Sequence, residues 1–280
     1  MAQAATELQR SRGELRVQLR RLGDRTSLAQ LYQEGCLRAR LPQHSSAAPL
    51  EIVTINTAGG LTDGDDVNTT IHWNAASRGI VTTQAAERIY HCRDAPAHIT
   101  TTLVVDDNAI AAWLPQETIL FDRSQLERNT IIELGNDTEF FGVESLVFGR
   151  IAMQELVRYG KVFDRLRLYQ DGKLLFADAL ALGTTDLHAI DTEINQPGVL
   201  GSARCCATAL YVGTWDGSLL TELRAIIEAS GARGGASDLG NVIAIRLVGE
   251  DSRTLRHVIL QLYDACLGHA GFSEPRVWNC

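Results

Sequence analysis

Val67-Asn68-Thr69-Thr70-Ile71-His72-Trp73 alternates side chains that suit an interior with side chains that suit water, the period-two signature of a half-buried strand. Ile99, Thr101, Leu103 and Val105 repeat the device further along. Between such runs stand Ser77-Arg78-Gly79, Asp106-Asp107-Asn108 and Gly135-Asn136-Asp137, whose small polar side chains favour turns. From Leu50 to Phe141 the chain therefore reads as strand, turn, strand at short and fairly even spacing, which points to an all-β sandwich, barrel or solenoid.

Helical period shows in three places. Leu219, Leu220, Leu223, Ile226 and Ile227 form one apolar face, with Ser218 as N-cap candidate and Gly231 past the end. Leu255, Val258, Ile259, Leu262 and Cys266 form a second, between Ser252 and Gly268. A weaker third runs through Phe148, Ile151, Ala152 and Tyr159, with Glu155 on the same face. The segment 187–201, with Pro197 and Gly198, reads as a loop. No Pro-, Gly- or Ser-rich linker divides the chain, so a single domain over 1–280 is expected.

With 280 residues, 45% of them hydrophobic, the chain can bury a sizeable core. Its net charge of −8 has the wrong sign for a general nucleic-acid binder and suits basic partners or metal cations. No long apolar run or signal core stands out, so a cytoplasmic protein with no membrane contact is expected. The arginines from Arg10 to Arg25 interleave with Glu14 and Asp24, which fits a solvated face better than a transit peptide. Six dispersed cysteines are expected to be reduced.

The common catalytic signatures are missing. The chain has two lysines, in Gly160-Lys161-Val162 and Gly172-Lys173-Leu174, and neither is followed by the hydroxyl residue of a phosphate-binding loop. There is no His-Glu-x-x-His, Cys-x-x-Cys or Gly-x-Ser-x-Gly. Triads need no local motif, so an enzyme is not excluded, but the weight moves toward a binding or scaffold role.

Four blocks carry a resemblance. They are Asn56-Thr57-Ala58-Gly59-Gly60-Leu61-Thr62-Asp63-Gly64-Asp65, Thr82-Thr83-Gln84-Ala85-Ala86-Glu87-Arg88-Ile89-Tyr90, Trp113-Leu114-Pro115-Gln116-Glu117-Thr118-Ile119-Leu120-Phe121-Asp122 and Phe148-Gly149-Arg150-Ile151-Ala152-Met153-Gln154-Glu155. In this order, and with Pro275-Arg276-Val277-Trp278 near the end, the chain from about Arg12 onward resembles the urease accessory protein D family, UreD or UreH. Two positions depart from the family's pattern, Glu87 ahead of Arg88 and Gln154 ahead of Glu155.

The resemblance implies a mainly β protein of many short strands in a β-helix-like solenoid, with two or three helices, two of them toward the C-terminus. It implies a non-enzymatic chaperone that binds the urease apoprotein and recruits UreF, which docks the GTPase UreG that delivers nickel. No cofactor is then held tightly, and nickel is cargo in transit. The alternatives are a stand-alone β-solenoid hydrolase or lyase, and a metal buffer, the weaker because the seven histidines are dispersed.

A passing nickel ion needs ligands that release it, and carboxylates in a partly dry channel fit. Asp63, Asp65, Glu117, Asp122, Glu144 and Glu155 are the candidates for a transient path; the opposing reading is that they pair with Arg88, Arg123 or Arg150 as structural ion pairs. Thr83 and Gln84 are candidate polar groups on the channel wall, or simply cross-sheet hydrogen-bonding groups. Asp63-Gly64-Asp65-Asp66 lacks the later positions of a calcium loop and reads as a turn, with Gly59, Gly60 and Gly64 free to take positive φ. Neighbours in a strand face opposite ways, so neither His91-Cys92 nor Cys205-Cys206 chelates one ion alone. Arg276 and Trp278 are the candidate docking residues for UreF.

Overall fold

The computed structural model describes residues 10–42, 48–150, 153, 155–183 and 190–279. The chain enters as a hairpin, β1 (Arg12–Leu22) and β2 (Arg25–Gly35), and continues through β3 (Leu37–Arg40) and β4 (Leu50–Asn56). It then winds, each coil laying one strand in a first sheet, one in a second and a short one in a corner. The first full coil is β5 (Asp66–Trp73), β6 (Arg78–Thr83) and β7 (Glu87–Ile89). The next is β8 (Ala97–Val105), β9 (Ile110–Leu114) and β10 (Thr118–Leu120). A third begins with β11 (Ser124–Leu134) and β12 (Glu139–Phe148), the latter serving both second sheet and corner. A hairpin of β13 (Gly160–Gln170) and β14 (Lys173–Leu182) closes the first sheet. The chain ends with α1 (Ile190–Ile194), β15 (Cys205–Val212), α2 (Gly217–Ala229), β16 (Arg233–Asp238), β17 (Ile243–Gly249) and α3 (Ser252–Leu267).

This is a β-solenoid. The first sheet runs β14-β13-β11-β8-β5-β1-β2 and the second β16-β17-β15-β12-β9-β6-β4-β3. Within them β1, β5, β8, β11 and β13 are parallel, as are β4, β6, β9 and β12. Parallel in-register stacking places like on like: Ile71 lies beside Leu103, Leu103 beside Ile132 and Ile132 beside Leu168. That ladder stays buried because each coil repeats the alternation of the one before.

Two cores result. One fills the space between the sheets, and the other lies between the outer face of the second sheet and α2 and α3. Adjacent Phe140 and Phe141 point into different cores, as the pleat requires. In β1, Leu15, Val17 and Leu19 are buried while Arg12 and Arg20 are exposed, the solvated face expected of the arginine-rich start. Asp216, not the cap candidate Ser218, caps α2, and Asp251 caps α3: the Ser218 amide donates to Asp216 at 2.9 Å and the Thr254 amide to Asp251 at 2.8 Å.

One expected helix is corrected. Phe148 is held in the corner beside Leu120, the Gly149 amide donates to the Leu120 carbonyl, and Gly149 turns away with φ 88, so the described residues near Phe148 and Tyr159 form no α-helix. Ile151, Ala152 and Gln154 lie outside the described residues. The third helix is α1, inside the segment 187–201 that reads as a loop.

Candidate functional site

In β11 the buried positions alternate as Ser124, Leu126, Arg128, Thr130, Ile132 and Leu134, so a guanidinium stands where the period calls for an apolar side chain. Its lateral neighbours explain the break. Along the stacked coils the ladder reads Val67, Ile99, Arg128, Asp164, with charge replacing hydrocarbon at the last two rungs. Across the interior, Glu144 of β12 shares its strand face with buried Phe140, Leu146 and Phe148.

The three charges form one network. Arg128 donates to Asp164 through Nε at 2.8 Å and Nη2 at 2.6 Å, and its Nη1 lies 2.8 Å from Glu144 Oε2. The same Nη1 donates to Thr118 Oγ1 at 3.2 Å. Glu144 Oε1 accepts from Trp113 Nε1 at 2.9 Å and Thr130 Oγ1 at 3.2 Å. The side chains of Arg128, Glu144 and Asp164 are 4%, 10% and 16% exposed, so these charges sit largely out of water. Burial works against the Arg128 charge, but Asp164 and Glu144 outweigh it and lift its pKa above the ordinary arginine value. Burial raises the Glu144 carboxyl above the usual range, outweighing the pull of the Arg128 charge and the bonds from Trp113 and Thr130, with Asp164 adding to the rise.

Two cavities meet at this network. One, of about 380 Å³, is walled by Thr69, Thr101, Trp113, Gln116, Thr118, Thr83, Gln84 and Glu87, and exposed Gly59, Ala85 and Arg88 stand at its rim. The other, of about 310 Å³, is walled by Asp164, Asp178, Cys206 and Thr208, with exposed Gly198 and Arg246 at its rim. Arg128 and Glu144 line both. Carboxylates recur along the two walls: Glu87, raised in pKa by burial, then Glu144 and Asp164, then Asp178, which is paired with Arg246 at 2.5 Å. A larger concavity of about 690 Å³ lies elsewhere, at the turns around Asp106, Gly135 and Asp171, and contains none of the sequence candidates.

The chain matches a family profile described as UreD urease accessory protein over residues 11–279. A Rhizobium leguminosarum bv. trifolii relative, named urease accessory protein UreD, is 39% identical, covering 100% of this chain and 99% of its own. Relatives of the same name from Paracoccus denitrificans and Agrobacterium fabrum are 37% and 36% identical, each over 99% of this chain. The chain belongs to the UreD family of urease accessory proteins.

Within this UreD-family chain, the candidates read from sequence divide by place. Glu144, Thr83 and Gln84 line the first cavity; Thr83 Oγ1 accepts from the Gln116 amide at 2.8 Å. The other carboxylates lie off both cavities, on partners of their own. Asp63 accepts from the amides of Asp94 at 2.9 Å and Ala95 at 2.6 Å, and Asp65 from Ser11 at 2.6 Å and Thr62 at 2.8 Å, so the pair staples the turn before β5. Gly60 allows that turn: its φ is 143, and a Cβ there would come within 2.4 Å of the Tyr90 ring. Asp122 accepts from the amides of Arg158 and Tyr159, and Glu155 pairs with Arg150. Glu117 is held by Arg256 of α3, with contacts of 3.0 and 2.8 Å to its two oxygens, a partner outside the arginines weighed from sequence.

The docking candidates part company as well. Arg276 is exposed, but Trp278 is 5% exposed and turned into the protein, where its Nε1 donates to Thr82 Oγ1 at 2.9 Å and Arg256 stacks on its ring. The network residues Arg128 and Asp164 were not among the sequence candidates. The signal that finds them is a charged side chain in phase with buried ones, as in Leu126-x-Arg128-x-Thr130 and Val162-x-Asp164-x-Leu166. Among the described residues no three His, Cys, Asp or Glu converge to hold a metal, and no helix is long and apolar enough to cross a membrane.

Proposed function

We propose that this chain is a non-catalytic scaffold for urease maturation in the cytoplasm, and that nickel on its way to apo-urease passes between its two sheets. The observation that carries the reading is the pair of cavities that meet at the buried charges of Glu144, Arg128 and Asp164 inside an otherwise apolar β-solenoid. A purely structural solenoid needs no charge there, since an apolar ladder packs at least as well. Oxygen ligands bind nickel weakly enough for transfer, and hydroxyl and amide groups at Thr83, Thr101, Thr118 and Gln84 supply neighbours for a hydrated ion. Following the family resemblance, UreF docks on this chain and brings the GTPase UreG, with exposed Arg276 as one docking contact. The path narrows to Glu144, Thr83, Gln84 and the newly found Asp164, while Asp63, Asp65, Glu117, Asp122 and Glu155 hold loops and elements in place.

The test fills the rims rather than the interior. Ala86→Trp narrows the first cavity, and Gly198→Trp the second, where a Cβ meets nothing within 4 Å. Each is co-expressed with the urease subunits, UreF and UreG, purified by a tag on this chain and assayed for nickel-dependent urease activation. The expected result is loss of activation with apo-urease and UreF still co-purifying. Full activation by both variants overturns the passage, and turnover by the isolated chain would point to a hydrolase or lyase instead.

A further inference from the structure

Resting on the passage reading, one feature of the network is at odds with a simple cation conduit: a fixed positive charge stands where the two cavities meet. We propose that Arg128 is a tethered counter-cation, whose guanidinium occupies the place of a divalent ion between Glu144 and Asp164 and must swing aside for the ion to cross.

The charge balance fits. With the guanidinium in place and both carboxyls ionised, one positive charge faces two carboxylates 2.8 and 2.6 Å away, which leaves one negative charge to draw in a cation. With it displaced, two carboxylates face the passage and together neutralise one divalent ion. When the guanidinium returns, it competes for the same oxygens and drives the ion onward. The device thus keeps the site attractive to cations and prevents it from becoming a trap. No covalent bond changes; carboxylate contacts pass from guanidinium to metal and back.

The geometry supplies the movement. Nη1 already touches the Thr118 hydroxyl, which lines the larger cavity, so the displaced head has a polar landing point and about 380 Å³ to enter. The planar fork matters, since only arginine can hold Asp164 through two nitrogens and reach Glu144 with the third. Burying three charges is a poor way to gain stability, and the ladder that ends in Arg128 and Asp164 begins with Val67 and Ile99.

The experiment titrates nickel chloride into the purified full chain carrying Arg128→Met. It should bind one Ni²⁺ at least tenfold more tightly than the unaltered chain, and urease activation in the co-expressed complex should fall because the ion is retained. Removing the guanidinium leaves two unpaired buried carboxylates, so folding is checked by circular dichroism and Arg128→Lys is measured in parallel. The ammonium keeps the charge but cannot span both carboxylates, and nickel affinity should rise severalfold. A folded variant of either kind with unchanged nickel affinity overturns the counter-cation. The two levels separate cleanly: Ala86→Trp and Gly198→Trp blocking activation while the Arg128 variants bind nickel normally overturns only the counter-cation. Activation surviving both tryptophans removes the passage, and the counter-cation with it.

Discussion

Trp278→Ala should unfasten the C-terminal segment from the solenoid. The indole is almost wholly buried, donates to Thr82 Oγ1 of β6 and lies under the Arg256 guanidinium, which also clamps Glu117. Truncating a buried tryptophan costs about 3–5 kcal/mol, through lost transfer energy and the cavity left behind. The hydrogen bond is a smaller share of about 1 kcal/mol, because Thr82 Oγ1 still donates to the Leu114 carbonyl at 2.6 Å. Trp278→Phe, which keeps most of the packing, should therefore lose much less than Trp278→Ala. At roughly 2–4 °C per kcal/mol for a chain of this size class, the alanine variant should melt about 6–20 °C lower. The assays are thermal and urea denaturation of the full chain, with a double-mutant cycle of Trp278→Phe and Thr82→Val to isolate the hydrogen bond. An alanine variant with an unchanged midpoint refutes the reasoning, since the indole would then not fasten the tail. A pull-down with UreF supplies the second axis: Arg276→Ala should weaken capture without moving the midpoint, whereas Trp278→Phe should leave capture intact.

Glu117→Gln should lose about 1–2 kcal/mol by freeing Arg256 in a partly buried setting, read by urea denaturation, while urease activation at matched protein levels persists; abolished activation in a folded variant would return Glu117 to the path. Burial opposes the Asp63 charge, but the Ala95 and Asp94 amides and Arg10 hold its carboxyl below the ordinary value. Its stability contribution is therefore complete above the unfolded aspartate value and is lost as pH falls through the depressed one; Asp63→Asn should be less stable at neutral pH and should flatten the acid limb of the stability curve. Glu144 has the opposite sign: with its pKa raised, the folded protein gains from its protonation, and that contribution is lost as pH rises through the raised value, so Glu144→Gln should remove this slope from stability measured against pH. Burial pushes the Cys206 thiol up to about 12, so it should resist alkylation at pH 8 until the chain is unfolded, as mass spectrometry of labelled peptides would report.

How much of this was legible beforehand follows from the range of each interaction. Strand alternation in 67–73 and 99–105, the faces of α2 and α3 and the turns at Asp106–Asn108 are local, fixed by which side chains avoid water, and the chain alone determined them. The family blocks told which protein this resembles, because their spacing persists in sequence. Sequence could not choose among sandwich, barrel and solenoid on its alternation, since all three use the same pleat; parallel in-register stacking of successive coils decided it. Nor could it sort the carboxylates. Asp63 and Glu144 look alike on paper, but one is filled by backbone amides 31 and 32 residues away and the other faces Arg128 where two cavities meet. Charge on a side chain is a local property. Its partner, its burial and the space beside it arise only when coils distant in sequence are stacked, and the tertiary structure alone decided those.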